Sequence, residues 1–124
     1  MRDEDRNEAE DNPDHDGGIR TAVHVWFADP AAAKARYGPI ASWDVSEVTN
    51  LSELFQDQAD FNEDLSRWDV SNVVNMNRTF NGATSFDRQL GGAWATSTAI
   101  KNYMFCNSPG TIAGKTKTAD GTIE

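Results

Sequence analysis

The polar residues with chemical potential in this sequence recur in pairs. Asp44 returns as Asp69, Ser46 as Ser71 and Asn50 as Asn75, each 25 residues on. Carboxylates are hard oxygen ligands, so the Asp44–Asp69 pair suits part of a calcium site. Adjacent strands lie about 4.8 Å apart, which would let both reach one ion. The competing reading makes each Asp a cap of its own repeat, bonded to nearby backbone. That reading is favoured, because Asp, Asn and Ser commonly serve at such corners. Asp44, Asp69, Ser46 and Ser71 are therefore expected to be repeat caps, with no metal and no cofactor. A second pair of segments, Asn62-Glu63-Asp64 and Asp87-Arg88-Gln89, flanks a presumed strand. Alternation points Glu63 and Arg88 outward, onto the surface that repeat proteins offer to partners. Paired across strands, the two would gain little. Asn62, Glu63, Asp87 and Arg88 are the candidate partner-binding residues.

Catalytic chemistry finds little purchase. Glu63 and Asp64 are neighbours on a strand and point to opposite faces, whereas acid–base catalysis needs both groups on one reacting centre. Cys106 is the lone cysteine, with no basic neighbour to activate it, and reads as a buried inert thiol. His24 sits one residue off an apolar stripe, and the other histidine, His15, lies in an acidic segment. Phosphate loops, dinucleotide fingerprints and nucleophile elbows are absent from the sequence. No enzymatic activity is expected.

The elements that must position these groups fit in one domain of 124 residues. The formal charge is −9. Acidity argues against nucleic-acid binding, which needs a basic face, and no apolar run approaches a membrane span. Residues 1–18 hold eight acidic residues against two basic ones and no Val, Ile, Leu, Phe, Trp or Tyr. They are expected to form a disordered acidic tail. The opening Met-Arg-Asp-Glu-Asp lacks the apolar region of a secretory signal.

Ile19, Ala22, Val23, Trp26 and Phe27 then form the stripe of an amphipathic helix, with Asp16-Gly17-Gly18 as its start signal. Asp29-Pro30 reads as the cap and first residue of a second helix, stopped by Gly38-Pro39. From residue 40 the chain repeats every 25 residues. Trp43 maps to Trp68, Phe55 to Phe80, Phe61 to Phe86 and Leu65 to Leu90. A third, decayed copy adds Trp94, one residue late, and Phe105, and puts Lys101 where Leu51 and Met76 sit. These ten aromatic and leucine positions are the expected structural core. Within a copy, Phe61 to Leu65 alternates like a strand. Val48, Leu51, Leu54 and Phe55 are spaced like one face of a short helix, with Ser46 or Ser71 at its N-cap. The expected fold is thus α/β: a short leucine-rich-repeat-like solenoid of parallel strands and short helices with period 25, opened by an N-terminal helical cap. Its divisions are the tail 1–18, a body 19–108 with copies at 40–64, 65–89 and 90–108, and a C-terminal coil 109–124, which could instead supply a capping strand.

Ser-Trp-Asp-Val-Ser-Glu-Val-Thr-Asn-Leu-Ser-Glu-Leu-Phe, followed by Phe-Asn-Glu-Asp-Leu-Ser-Arg-Trp-Asp-Val-Ser-Asn-Val, resembles the BspA-like leucine-rich-repeat family over about residues 37–108. Such repeats also occur in mycoplasma lipoproteins and in bacterial, algal and protist surface proteins. Trp26 to Pro30 with Tyr37 to Ile40 looks like the helical lead-in of such arrays. The resemblance implies a repeat solenoid for adhesion or protein–protein contact at a cell surface, without catalysis. The expected function is a non-catalytic interaction or adhesion module with a protein partner. The alternative is a structural or assembly fragment, the N-terminal end of a longer array.

Overall fold

The computed structural model describes residues 12–124. Of the acidic segment expected at 1–18, residues 1–11 lie outside the described residues. Helix α1 (Asp16–Ala28) begins inside that segment. Ile19, Ala22, Val23 and Trp26 bury its apolar stripe, and Phe27 packs against the core partly buried. The chain leaves α1 at Asp29, whose carboxylate accepts the Ala32 N–H (3.1 Å) and caps helix α2 (Pro30–Tyr37). Pro30 occupies the first turn, where its missing N–H is harmless.

A tight turn at Ile40–Ser42 leads into the repeats, which build the core as aromatic columns. Trp43, Trp68 and Trp94 stack nearly parallel, with ring centroids 6.4 and 6.5 Å apart. Phe55, Phe80 and Phe105 form a second column at 5.5 and 5.4 Å. Phe61 and Phe86 form a third, at 5.9 Å. Leu65 and Leu90 are also fully buried. Helix α1 closes the near end of these columns. Trp26 meets Trp43 edge-on at 5.9 Å, and Phe27 meets Phe55 and Phe61 at 6.2 and 5.7 Å. Such contacts add to the large burial each ring supplies.

The backbone links the copies by a ladder of parallel character. Leu51, Glu53, Phe55 and Asp57 donate N–H to the carbonyls of Asn75, Asn77, Thr79 and Asn81 at 2.7–3.0 Å. Met76, Arg78, Phe80 and Gly82 do the same to Ile100, Asn102, Met104 and Cys106 at 2.8–3.0 Å.

The leucine-rich-repeat-like α/β solenoid is nevertheless not what forms. No helix or extended strand occupies 43–88. Among the described residues, strands are confined to β1 (Gln89–Leu90) and β2 (Thr111–Ile112), a two-stranded parallel sheet of two residues each, and the copies are otherwise joined by the single-residue bridges Asn50–Asn75 and Asn75–Ile100. A third short helix, α3 (Ala93–Thr96), lies in the decayed copy. Where a helix was expected, the chain makes successive tight turns. Leu54, Gln56 and Gln58 donate to Leu51, Glu53 and Phe55 three residues back. Positive φ at Glu53 (61°), Arg78 (59°) and Tyr103 (55°) prevents either a helix or a strand from propagating. Val48, Leu51, Leu54 and Phe55 are all buried, but a run of turns buries every third or fourth residue just as a helix does. Where a strand was expected, Phe61 and Leu65 are buried and the three residues between them are all exposed.

Both edges of the ladder are covered. At the first copy, the Asp16 carboxylate accepts from the Thr49 N–H (2.7 Å), the Thr49 hydroxyl (2.6 Å) and the Asn50 N–H (3.2 Å). Arg20 donates to the Asn50 carbonyl at 3.2 Å. At the third copy, the C-terminal segment does the same work. Phe105 donates its N–H to the Gly121 carbonyl, Tyr103 donates its own to the Thr122 hydroxyl, and Ile123 donates to Lys101. Residues 109–124 are therefore not a loose coil: Ile112 and Ile123 are buried.

Asp16 carries a pH dependence. Burial pushes its carboxyl up, but the hydrogen bonds from Thr49 and Asn50 and the nearby Arg20 charge outweigh this and hold it below the usual range. The depressed group stabilises the fold above its unfolded pKa of about 3.9, and this is lost as pH falls through the folded value. Asp16→Asn is expected to cost about 1–2 kcal/mol at pH 7. In urea titrations across pH 7 to 2, the gap from the parent should close at the acid end. A constant gap would mean that Asp16 acts without its charge.

Candidate functional site

The recurring polar residues are spent on the fold. The Asp44 carboxylate accepts from the Ser46 N–H (3.1 Å) and hydroxyl (2.7 Å). Asp69 repeats this with Ser71 at 3.1 and 2.6 Å. In both, the serine hydroxyl and N–H hold the carboxyl below its ordinary value. Ser46 and Ser71 thus donate to an Asp two residues back; no helix follows for them to cap. Asn50 and Asn75 accept the N–H of Ser52 and Asn77 in the same two-residue pattern. These are Asx turns, in which the side chain stands in for a backbone carbonyl. Among the described residues, no group of three or more His, Cys, Asp or Glu is placed to hold a metal ion.

The candidate partner-binding residues separate. Arg88 donates to the Asn62 carbonyl at 2.8 Å and to its side-chain oxygen at 3.2 Å. The Asp87 N–H donates to that same oxygen at 3.0 Å. Arg88 and Asn62 therefore form a latch between copies. Among the described residues no ion pair joins Glu63 to Arg88. Glu63 is exposed and borders two adjoining depressions beside the α1–α2 corner.

The sequence reading missed an exposed apolar patch. Val74, Ile100 and Tyr103 are 67%, 52% and 39% exposed, although most large apolar side chains are in the core. Ile100 bridges Asn75 across the ladder and donates its N–H to the Val74 carbonyl at 3.2 Å, so the two are neighbours. Tyr103 follows three residues on, with the Arg78 guanidinium 4.9 Å from its ring centre. The signal was present: Val74 takes the place of Thr49, and Ile100 that of Asn50 and Asn75.

The remaining singled-out residues form no centre. Cys106 is a free thiol, half-buried rather than buried. His24 is exposed beside Arg20 and Gln58. Lys101 fills the place of Leu51 and Met76 by burying its stem and donating its ammonium to the carbonyls of Ser97 and Ala99, both at 2.9 Å. Among the described residues, no helix is long and apolar enough to cross a membrane.

No curated protein and no solved structure matches the chain. Residues 25–113, from the end of α1 to just past β2, match the family described as "Mycoplasma protein of unknown function, DUF285". The match covers well over half of the chain and takes in the aromatic columns and the ladder, so the chain belongs to that family.

Proposed function

We propose that the chain is a non-catalytic module for protein–protein contact or adhesion. One observation carries the reading. The recurring polar groups are consumed by turns and latches, while Val74 and Ile100 stand side by side in solvent on adjoining copies and Tyr103 is exposed three residues further on. Exposed apolar patches mark interaction sites, and tyrosine and arginine are enriched among interface hot spots. The likeness to BspA-like surface proteins supports the same reading and favours contact at a cell surface.

The test is partner capture by the folded chain, followed by affinity measurement on the captured protein. A Val74→Ser, Ile100→Ser double variant changes only exposed positions and should keep its melting temperature. It is expected to weaken binding about tenfold or more. Undiminished affinity would show that the patch is not the binding face.

A further inference from the structure

The corner between α1 and α2 faces the loop 58–63 across an open groove. Two depressions, of about 410 and 600 Å³, share Trp26, Pro30 and Glu63 and so run together. Trp26 and Phe61 form the base with little of their surface exposed, and Pro30 offers an exposed apolar face beside them. The loop wall carries Asp60 and Glu63, and the opposite wall carries Lys34. Among the described residues, no ion pair engages either carboxylate.

Both walls are held in place. Phe61 stacks on Phe55 at 4.3 Å and on Phe86 at 5.9 Å, and its N–H donates to Gln58 at 3.1 Å. Asn62, the next residue, is gripped by Arg88 and Asp87. The helical wall is fixed by the Asp29 N–H on Val25 (2.8 Å) and by the Asp29 cap on Ala32. A preformed groove binds without an ordering cost of its own.

Its chemistry selects an occupant. Two carboxylates on one rim repel phosphates and other anions. They accept hydrogen bonds from a guanidinium or ammonium group, with bidentate geometry available to arginine. Pro30, Ala31 and Ala35, with the edge of Trp26, suit the alkyl stem of that residue and an adjacent aliphatic side chain. An open trough between two walls suits extended chain. We propose that this groove binds an extended segment of a partner protein carrying an Arg or Lys beside an aliphatic residue. The basic head faces Asp60 and Glu63, and the aliphatic group lies on Trp26 and Pro30. Lys34 disfavours a second basic residue at the far end and so orients the segment. The proposal rests on the protein-binding reading above and names a site separate from the Val74–Ile100 patch.

Fluorescence anisotropy on the whole chain tests it. The probes are labelled Gly-Ser nonapeptides carrying Arg-Leu, Arg-Gly, Gly-Leu or Glu-Leu at their centre. The Arg-Leu peptide is expected to bind with a Kd below about 1 mM. Loss of either side chain should weaken it about tenfold, as should an Asp60→Asn, Glu63→Gln double variant with unchanged melting temperature. Raised salt should weaken binding as well. Equal binding of the Glu-Leu peptide, unchanged binding by the double variant, or no binding of the Arg-Leu peptide would overturn the proposal. Captured protein separates this failure from that of the module. A partner retained by the Asp60–Glu63 variant but lost by the Val74–Ile100 variant sinks the groove alone. A partner retained by both sinks the assigned binding faces together.

Discussion

Trp68→Ala is expected to lower unfolding free energy by about 3–5 kcal/mol. Trp68 is 1% exposed and sits mid-column, 6.4 Å from Trp43 and 6.5 Å from Trp94. It also tilts against Phe55 at 6.0 Å, which joins the tryptophan column to the phenylalanine column. Its indole N–H donates to the Ile40 carbonyl at 2.8 Å, a buried bond between copies. Truncation therefore opens a cavity and removes a buried hydrogen bond at once, although the Ile40 carbonyl keeps the Trp43 N–H at 3.2 Å. Trp94 repeats the bond on Leu65 at 2.9 Å, but Trp43, at the end of the column, bonds the nearer Gly38 carbonyl, which is only part-buried. Trp43→Ala should accordingly cost less, near the lower end of the same range. Domains of this kind hold only about 5–15 kcal/mol in total, so Trp68→Ala brings the fold close to its limit. Trp68→Phe separates the two terms: it keeps a ring in the column and loses the hydrogen bond. Urea unfolding of the three variants measures this. A Trp68→Ala cost below about 1 kcal/mol would mean that the column does not carry the core.

What the sequence made legible follows from how each feature is encoded. The aromatic columns are written in residue identity. Trp43 and Trp68, or Phe55 and Phe80, announce themselves by type and spacing and lie in the core. The local conformation is written more faintly. Burial at Val48, Leu51, Leu54 and Phe55 suits a helix and a chain of tight turns equally. What decides is positive φ at Glu53, Arg78 and Tyr103, residue types that carry no signal for it. The next such column, Asp57 (φ 64°), Gly82 (φ 78°) and Asn107 (φ 57°), does hold types that favour the left-handed region. The candidate surface divided for a similar reason. Glu63 and Arg88 read as outward residues; Glu63 is exposed, but the Arg88 guanidinium reaches back to a carbonyl of the neighbouring copy. Long-range polar contacts leave no local mark. Asp16 meets Thr49 33 residues away, so its part in sealing the first copy could not be read from spacing. The Val74–Ile100 patch was readable from the copies once aligned, as an apolar intrusion into polar columns.

Gly121→Ala carries the second large effect, about 3 kcal/mol or more. Two costs combine. The residue lies at φ 85°, where an L side chain is strained. A Cβ there would also overlap backbone atoms of Phe105 and Cys106, which have no rotamer to move to. That close approach is what lets the Gly121 carbonyl accept the Phe105 N–H at 2.9 Å and close the third copy. Gly114→Ala provides the matched control. Its φ of 74° is similar, but nothing lies within 4 Å of the added carbon. It should cost only about 1 kcal/mol, the backbone strain alone. The difference between the two isolates the value of the cap. Amide exchange locates it: in Gly121→Ala, Phe105 and Ile123 should lose protection, while Leu51 and Phe55 keep theirs. Detachment of the segment would also leave the third copy with an unpaired ladder edge over Phe105, so the variant should self-associate as concentration rises. Equal costs at the two glycines, with protection unchanged at Phe105, would show that the third copy is not closed through Gly121.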